Sequence, residues 1–155
     1  MKRLFTSMKK AFPTTLRLYL GIMFLIYGLA KIVMGQFGEP APTAIVSQGE
    51  GFALAWTFFG YSRFYELVIG WGEVIAAILI MIPRTSTLGA VMYFPISINV
   101  MLVNYCFNIG VQDLSTVLVI MNVILLWMDR KKLLMIFWKA DQLKGQIEEK
   151  GVKVS

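Results

Sequence analysis

The chain has 155 residues, 57% of them hydrophobic and only 15% charged, with 15 Lys+Arg against 9 Asp+Glu for a net charge of +6. A soluble domain of this size is about half apolar and about a quarter charged, so both departures point to lipid rather than water as the main solvent. There is no histidine and a single cysteine, Cys106, which excludes an intrachain disulfide, histidine-ligated zinc or haem, and serine–histidine or cysteine–histidine catalysis.

The N-terminal stretch, residues 1–13, is basic through Lys2, Arg3, Lys9 and Lys10. An apolar run follows at 16–34, long enough as a helix to cross a hydrocarbon core about 30 Å thick. A basic stretch before an apolar run also fits a cleaved signal peptide. The length of the run and its internal Gly and Lys favour a membrane span. Residues 35–63 form a long connection that opens with Gly/Pro-rich sequence and then carries Phe52, Trp56, Phe58, Phe59 and Tyr61. Aromatics at this density are expected at a membrane–water interface, as an anchor or as a lid over the outer mouth.

A second span is expected at 64–82, ending at Pro83. The third, 87–107, contains Pro95 and is expected to kink in its first third. The fourth, 114–128, is shorter and almost purely apolar. Residues 129–155 are expected to form a cytoplasmic amphipathic helix and tail, with Leu133, Leu134, Ile136, Phe137 and Trp138 toward acyl chains. Its Lys131, Lys132 and Lys139 would meet anionic headgroups. The basic residues thus flank spans instead of forming a nucleic-acid-binding domain. By the positive-inside rule both termini are cytoplasmic, in a plasma membrane crossed four times. The expected fold is all-α, an integral membrane antiparallel four-helix bundle forming one domain.

Ionisable and amide groups at membrane depth are the candidate site. On the first span Arg17, Gly21, Gly28 and Lys31 share a helical face, and on the second Glu66, Gly70, Glu73 and Ala77 do the same. Gly21, Gly28 and Gly70 are read as close-packing positions between helices. Matching depths at about 1.5 Å per residue places Lys31 opposite Glu66, with Asn104 and Asn108 in the same layer. Glu73, Asn99 and Asn122 would lie deeper. The expectation is a polar pocket open to the outer side, with a Lys31–Glu66 pair and Glu73 at its floor. Glu73 has no cation at its own level, and would serve as a proton carrier or as a partner for amides. Cys106 is read as an inert packing residue.

Arg17 with Gly21, the step from Gly28 to Lys31, Gly72-Glu73 leading to Pro83-Arg84, and a third span carrying Asn99 and Asn104 resemble the DoxX family of small bacterial membrane proteins. The resemblance runs from about residue 16 to 127. It implies a four-helix integral bundle and, through members linked to thiosulfate:quinone oxidoreduction or redox-stress complexes, a quinone as one ligand. This chain has no cysteine pair and no metal or haem ligand set to carry redox chemistry itself.

The function expected first is therefore an accessory or ligand-binding subunit whose pocket, lined by Arg17, Lys31, Glu66, Glu73, Asn99, Asn104, Asn108 and Asn122, takes a lipid or quinone. A partner membrane protein or a second copy of the chain is the other occupant considered. The alternative is a quinone-linked membrane enzyme with Glu73 as catalytic acid/base. A second alternative is a small proton-coupled transporter using Lys31, Glu66 and Glu73, although no inverted repeat or broken helix pair is evident. No metal and no resident cofactor are expected.

Overall fold

The computed structural model describes residues 2–134, with side chains from residue 11 onward. Among the described residues the protein is all-helical. Helix α1 (Lys2–Leu29) begins well before the expected residue 16 and ends in a π-helical turn, Ala30–Met34, closed by Gly35 at φ 67°. Two short helices follow in the outer connection, α2 (Pro42–Gln48) and α3 (Glu50–Gly60). Then come α4 (Arg63–Met81), α5 (Ser86–Cys106) and α6 (Gln112–Met128), on the runs expected at 64–82, 87–107 and 114–128. The segment expected as a C-terminal amphipathic helix lies, from residue 135 onward, outside the described residues.

Three segments, Ala11–Met34, Arg63–Met81 and Ser86–Cys106, are long and apolar enough to cross a membrane; α6 is apolar but shorter. Helices α1, α4, α5 and α6 pack side by side around a core of Leu16, Leu20, Phe24, Ala76, Ala77, Ile80, Ala90, Tyr93, Leu118 and Leu125. The outer surface is apolar as well, with Ile22, Ile26, Trp71, Leu102 and Ile120 all exposed. Lys31, Glu66, Glu73, Asn104 and Asn122 are buried instead. Helices apolar all round, with their few polar groups turned inward, are the pattern that lipid imposes.

Glycine sets the α1–α4 approach. A Cβ on Gly28 would lie 2.8 Å from the Gly70 carbonyl oxygen, and one on Gly70 would lie 3.0 Å from the Gly28 carbonyl oxygen. Gly21 faces Ala77 and Met81. As numbers rise along α1 they fall along α4, so the two helices are antiparallel. Where α4 turns into α5, Gly89 packs against the backbone of Leu79 and Ile80. Thr85 stabilises that turn by donating to the Leu79 carbonyl at 3.0 Å. Helix α5 runs unbroken through Pro95, although the proline ring removes one backbone donor.

Two ends of the bundle differ in chemistry. At one, the start of α5, α1 and the end of α6 converge on Asp129. Its carboxylate accepts from Thr87 at 2.9 Å and from Lys132 at 2.9 Å, and pairs with Arg17 at 3.3 Å. At the other end lies a cavity roofed by the 35–62 connection.

Candidate functional site

The cavity has a volume of about 440 Å³ and lies between α1, α4, α5 and α6. Helix α1 contributes Phe24 and Tyr27, the π-turn Lys31, α4 Gly72 and Glu73, α5 Asn99 and Asn104, and α6 Ser115 and Leu118. The roof is aromatic. Phe37, Trp56, Phe59 and Tyr65 line the cavity and pack on one another, with Phe37 and Trp56 centroids 5.3 Å apart and edge-on, and Phe59 and Tyr65 parallel at 6.4 Å. Helix α3 is pinned there by the Gly38 N–H, which donates to the Trp56 carbonyl at 3.2 Å, and by Gly51 against the Phe107 backbone. Its inner residues cover the cavity while Leu54 and Phe58 remain exposed outside. The aromatic segment therefore combines lid and outer apolar surface on opposite faces of one helix.

The charged pairing differs from the sequence expectation. Lys31 does not meet Glu66; its Nζ donates to Glu73 Oε2 at 2.8 Å, with 7% and 1% of the two side chains exposed. The same ammonium donates to the Tyr27 carbonyl at 3.4 Å and lies 5.4 Å from the Phe37 ring centroid. The cause is side-chain direction. Every Cα–Cβ bond in a helix leans toward its own N-terminus. In the antiparallel α1–α4 pair Lys31 leans down its helix and Glu73 leans up its own, so groups well separated in backbone level meet. Glu66 is taken by Arg63 at 2.6 Å and by the Phe37 N–H at 3.1 Å. Arg63 also donates to the carbonyls of Lys31 and Ile32. One guanidinium thus caps the open C-terminal carbonyls of the first helix and fixes the start of the roof through Glu66.

Of the residues expected to form the pocket, Lys31, Glu73, Asn99 and Asn104 line it. Glu66 is buried beside it, tied to the roof. Arg17 does not contribute; it is at the opposite end with Asp129. Asn122 is fully buried away from the cavity, donating to the Ala90 carbonyl at 3.3 Å and so joining α6 to α5. Asn108 also stands apart. It sits exposed in the α5–α6 turn at φ 51° and accepts from Gln112 at 3.0 Å. Cys106 is exposed, not packed inside as the sequence suggested. Sequence reasoning missed Asp129, masked among basic residues, and the roles of Arg63, Gln36 and Phe37.

Two oxygens in the cavity lining, Asn104 Oδ1 and Gln36 Oε1, are buried with no hydrogen-bond partner among the described residues. The exposed members of the lining are Tyr65 and Val68 of α4, Pro95 and Asn99 of α5, and Val111 of the outer turn. The cavity therefore opens sideways along the α4–α5 seam as well as at its outer rim. Among the described residues no three Cys, Asp or Glu side chains converge as a metal site.

A bundle of apolar-surfaced helices with an inward ion pair and a side-opening cavity has the build of a membrane protein. Over 135 residues the chain is 58% identical to the protein described as "Uncharacterized protein YwoB" of Bacillus subtilis (strain 168), covering 87% of this chain and 88% of that one. The chain belongs to the same family as YwoB. No protein-family model matches it, and no solved structure does.

Proposed function

We infer that the protein is a multi-pass membrane protein of DoxX-like four-helix build, a ligand-binding or accessory subunit that holds a small amphipathic molecule, a lipid or a quinone, in the cavity beneath α3. One observation carries this: a cavity of about 440 Å³ walled by the Lys31–Glu73 pair, roofed by aromatics and open along a lipid-facing seam. That volume lies within the range of small-molecule sites, which are mostly apolar with a few placed polar groups.

Four crossings follow if α6 spans too. Its 17 residues rise about 26 Å, a few ångströms short of a typical core, which local thinning accommodates. Arg84, Arg130, Lys131 and Lys132 gather at the Asp129 end, so that end is cytoplasmic and the cavity faces outward. Both termini are then cytoplasmic.

The test is native mass spectrometry from mild detergent, comparing wild type with Val100→Trp, which fills the cavity from α5. The wild type retains an adduct that Val100→Trp lacks; bare protein in both cases would overturn the function. An acid/base role for Glu73 in a membrane enzyme is the second reading, favoured by its place in the cavity wall against Lys31. The retained molecule provides its assay substrate, and turnover unchanged in Glu73→Gln removes Glu73 from catalysis. Proton transport through Lys31, Glu66 and Glu73 has less support, because Glu66 is engaged by Arg63 and Phe37 instead of by Lys31.

A further inference from the structure

The polar groups of the cavity are unequally satisfied, and the imbalance specifies a ligand. Asn104 is 96% buried, with only 4% of its surface exposed, and lines the cavity. Its Nδ2 donates to the Val100 carbonyl one turn back, at 2.8 Å. Turning the amide over would set two carbonyl-type oxygens against each other at that distance, so the orientation is fixed by chemistry. Asn104 Oδ1 is then the free group, and it can only accept.

Two of the donors in the lining are already engaged. Ser115 Oγ donates to the Gln112 carbonyl at 2.8 Å, and Lys31 Nζ to Glu73 and to the Tyr27 carbonyl. Gln36 Oε1 is a second unpartnered oxygen in the same lining. Lys31 and Glu73 cancel as a pair, whichever of them holds the proton. A charged ligand would lose its hydration without gaining a free counter-charge. A ligand that only accepts hydrogen bonds would leave Asn104 Oδ1 unpaired in an apolar cavity, which costs more than the bond itself returns.

We propose that the cavity selects an uncharged amphiphile whose polar head is a hydroxyl that donates to Asn104 Oδ1, with its apolar part toward the α4–α5 seam. This assignment rests on the ligand-binding function inferred above and narrows it: a quinone only accepts, so its hydroxyl-bearing reduced form is the one that fits. The hydroxyl is aliphatic or phenolic, and the probes below separate those two sources.

The experiment uses the full chain in lipid nanodiscs and reads the emission shift of Trp56, which lines the cavity, as a probe replaces water beside the indole; Trp56→Phe identifies its signal. Two matched pairs are compared at equal mole fraction in the bilayer: a long-chain alkanol with its methyl ether, and para-hexylphenol with its methyl ether. In one pair or both, the hydroxyl compound binds about tenfold more tightly than its ether, the discrimination expected of one buried hydrogen bond. The pair that discriminates names the source. Asn104→Leu, similar in volume and without an acceptor, abolishes the difference while the ethers still bind. Should Asn104→Leu not fold, Asn104→Met serves the same comparison.

Equal binding of hydroxyl and ether in the wild type overturns the assignment and leaves the ligand-binding function standing. Tighter binding of the matching carboxylate or ammonium overturns it as well. Absence of a Trp56 emission shift with every probe, together with no adduct in the mass spectrum, overturns both.

Discussion

Lys31 and Glu73 are the residues on which the interior depends most. Removing one partner of a buried pair strands the other, at a cost of about 3–5 kcal/mol, whereas removing both is often neutral or favourable. Lys31→Met and Glu73→Leu should each lower the unfolding midpoint in detergent, and the double variant should be more stable than either single one. Equal or additive losses would show that the pair is not coupled. Asp129 makes a separate prediction at the other end. Burial by itself pushes its carboxyl up, but hydrogen bonds from Lys132 and Thr87 and the charges of Lys132 and Arg17 outweigh burial and hold it below the usual carboxylate range. A carboxyl depressed in the folded state contributes stability that is complete above its unfolded value and is lost as pH falls through the folded one. Stability should therefore drop below about pH 4, and Asp129→Asn should flatten that acid limb while lowering stability at neutral pH. An acid limb unchanged by the substitution would remove Asp129 from that role. The sequence revealed which ionisable residues face inward, because charge at span positions is costly anywhere else. It did not reveal their partners, since backbone depth matches Lys31 to Glu66 while side-chain tilt delivers it to Glu73.

At the scale of elements, the glycines divide by what surrounds them. Gly28 and Gly70 present carbonyls to each other, so Gly28→Ala should separate α1 from α4 and cost about 1–3 kcal/mol, toward the upper end because the neighbour is backbone. Gly72→Ala is the control: the added Cβ would meet a terminal methyl of Ile96 at 3.9 Å, and the loss should be small. Thermal unfolding of the two variants checks the contrast. Spacing along each helix exposes Gly28 and Gly70 as small residues on charged faces. The π-turn at Ala30–Met34 has no such signature. It depends on Arg63, distant in sequence, which captures the carbonyls of Lys31 and Ile32. Likewise, density of aromatics marked α3 for an interface but could not assign Trp56 and Phe59 to the cavity side.

For the whole molecule, an all-helical chain with long apolar helices was legible from run length alone, since few other structures satisfy the backbone in oil. The proposed orientation rests only on the distribution of Lys and Arg, and it yields a direct experiment. In a Cys106→Ser background, a cysteine at Glu39 should react with a membrane-impermeant maleimide added to intact cells. A cysteine at Arg84 should react only after permeabilisation. The reverse pattern would invert the protein in the bilayer.

Under the proposed ligand-binding function, the opening along the α4–α5 seam also decides which concentration matters. A site filled from the hydrocarbon phase responds to the ratio of ligand to lipid, not to the amount dissolved in water. Adding empty vesicles at constant total ligand should therefore drain the cavity by dilution alone, and growth conditions that alter membrane area would set its occupancy without any change in ligand synthesis.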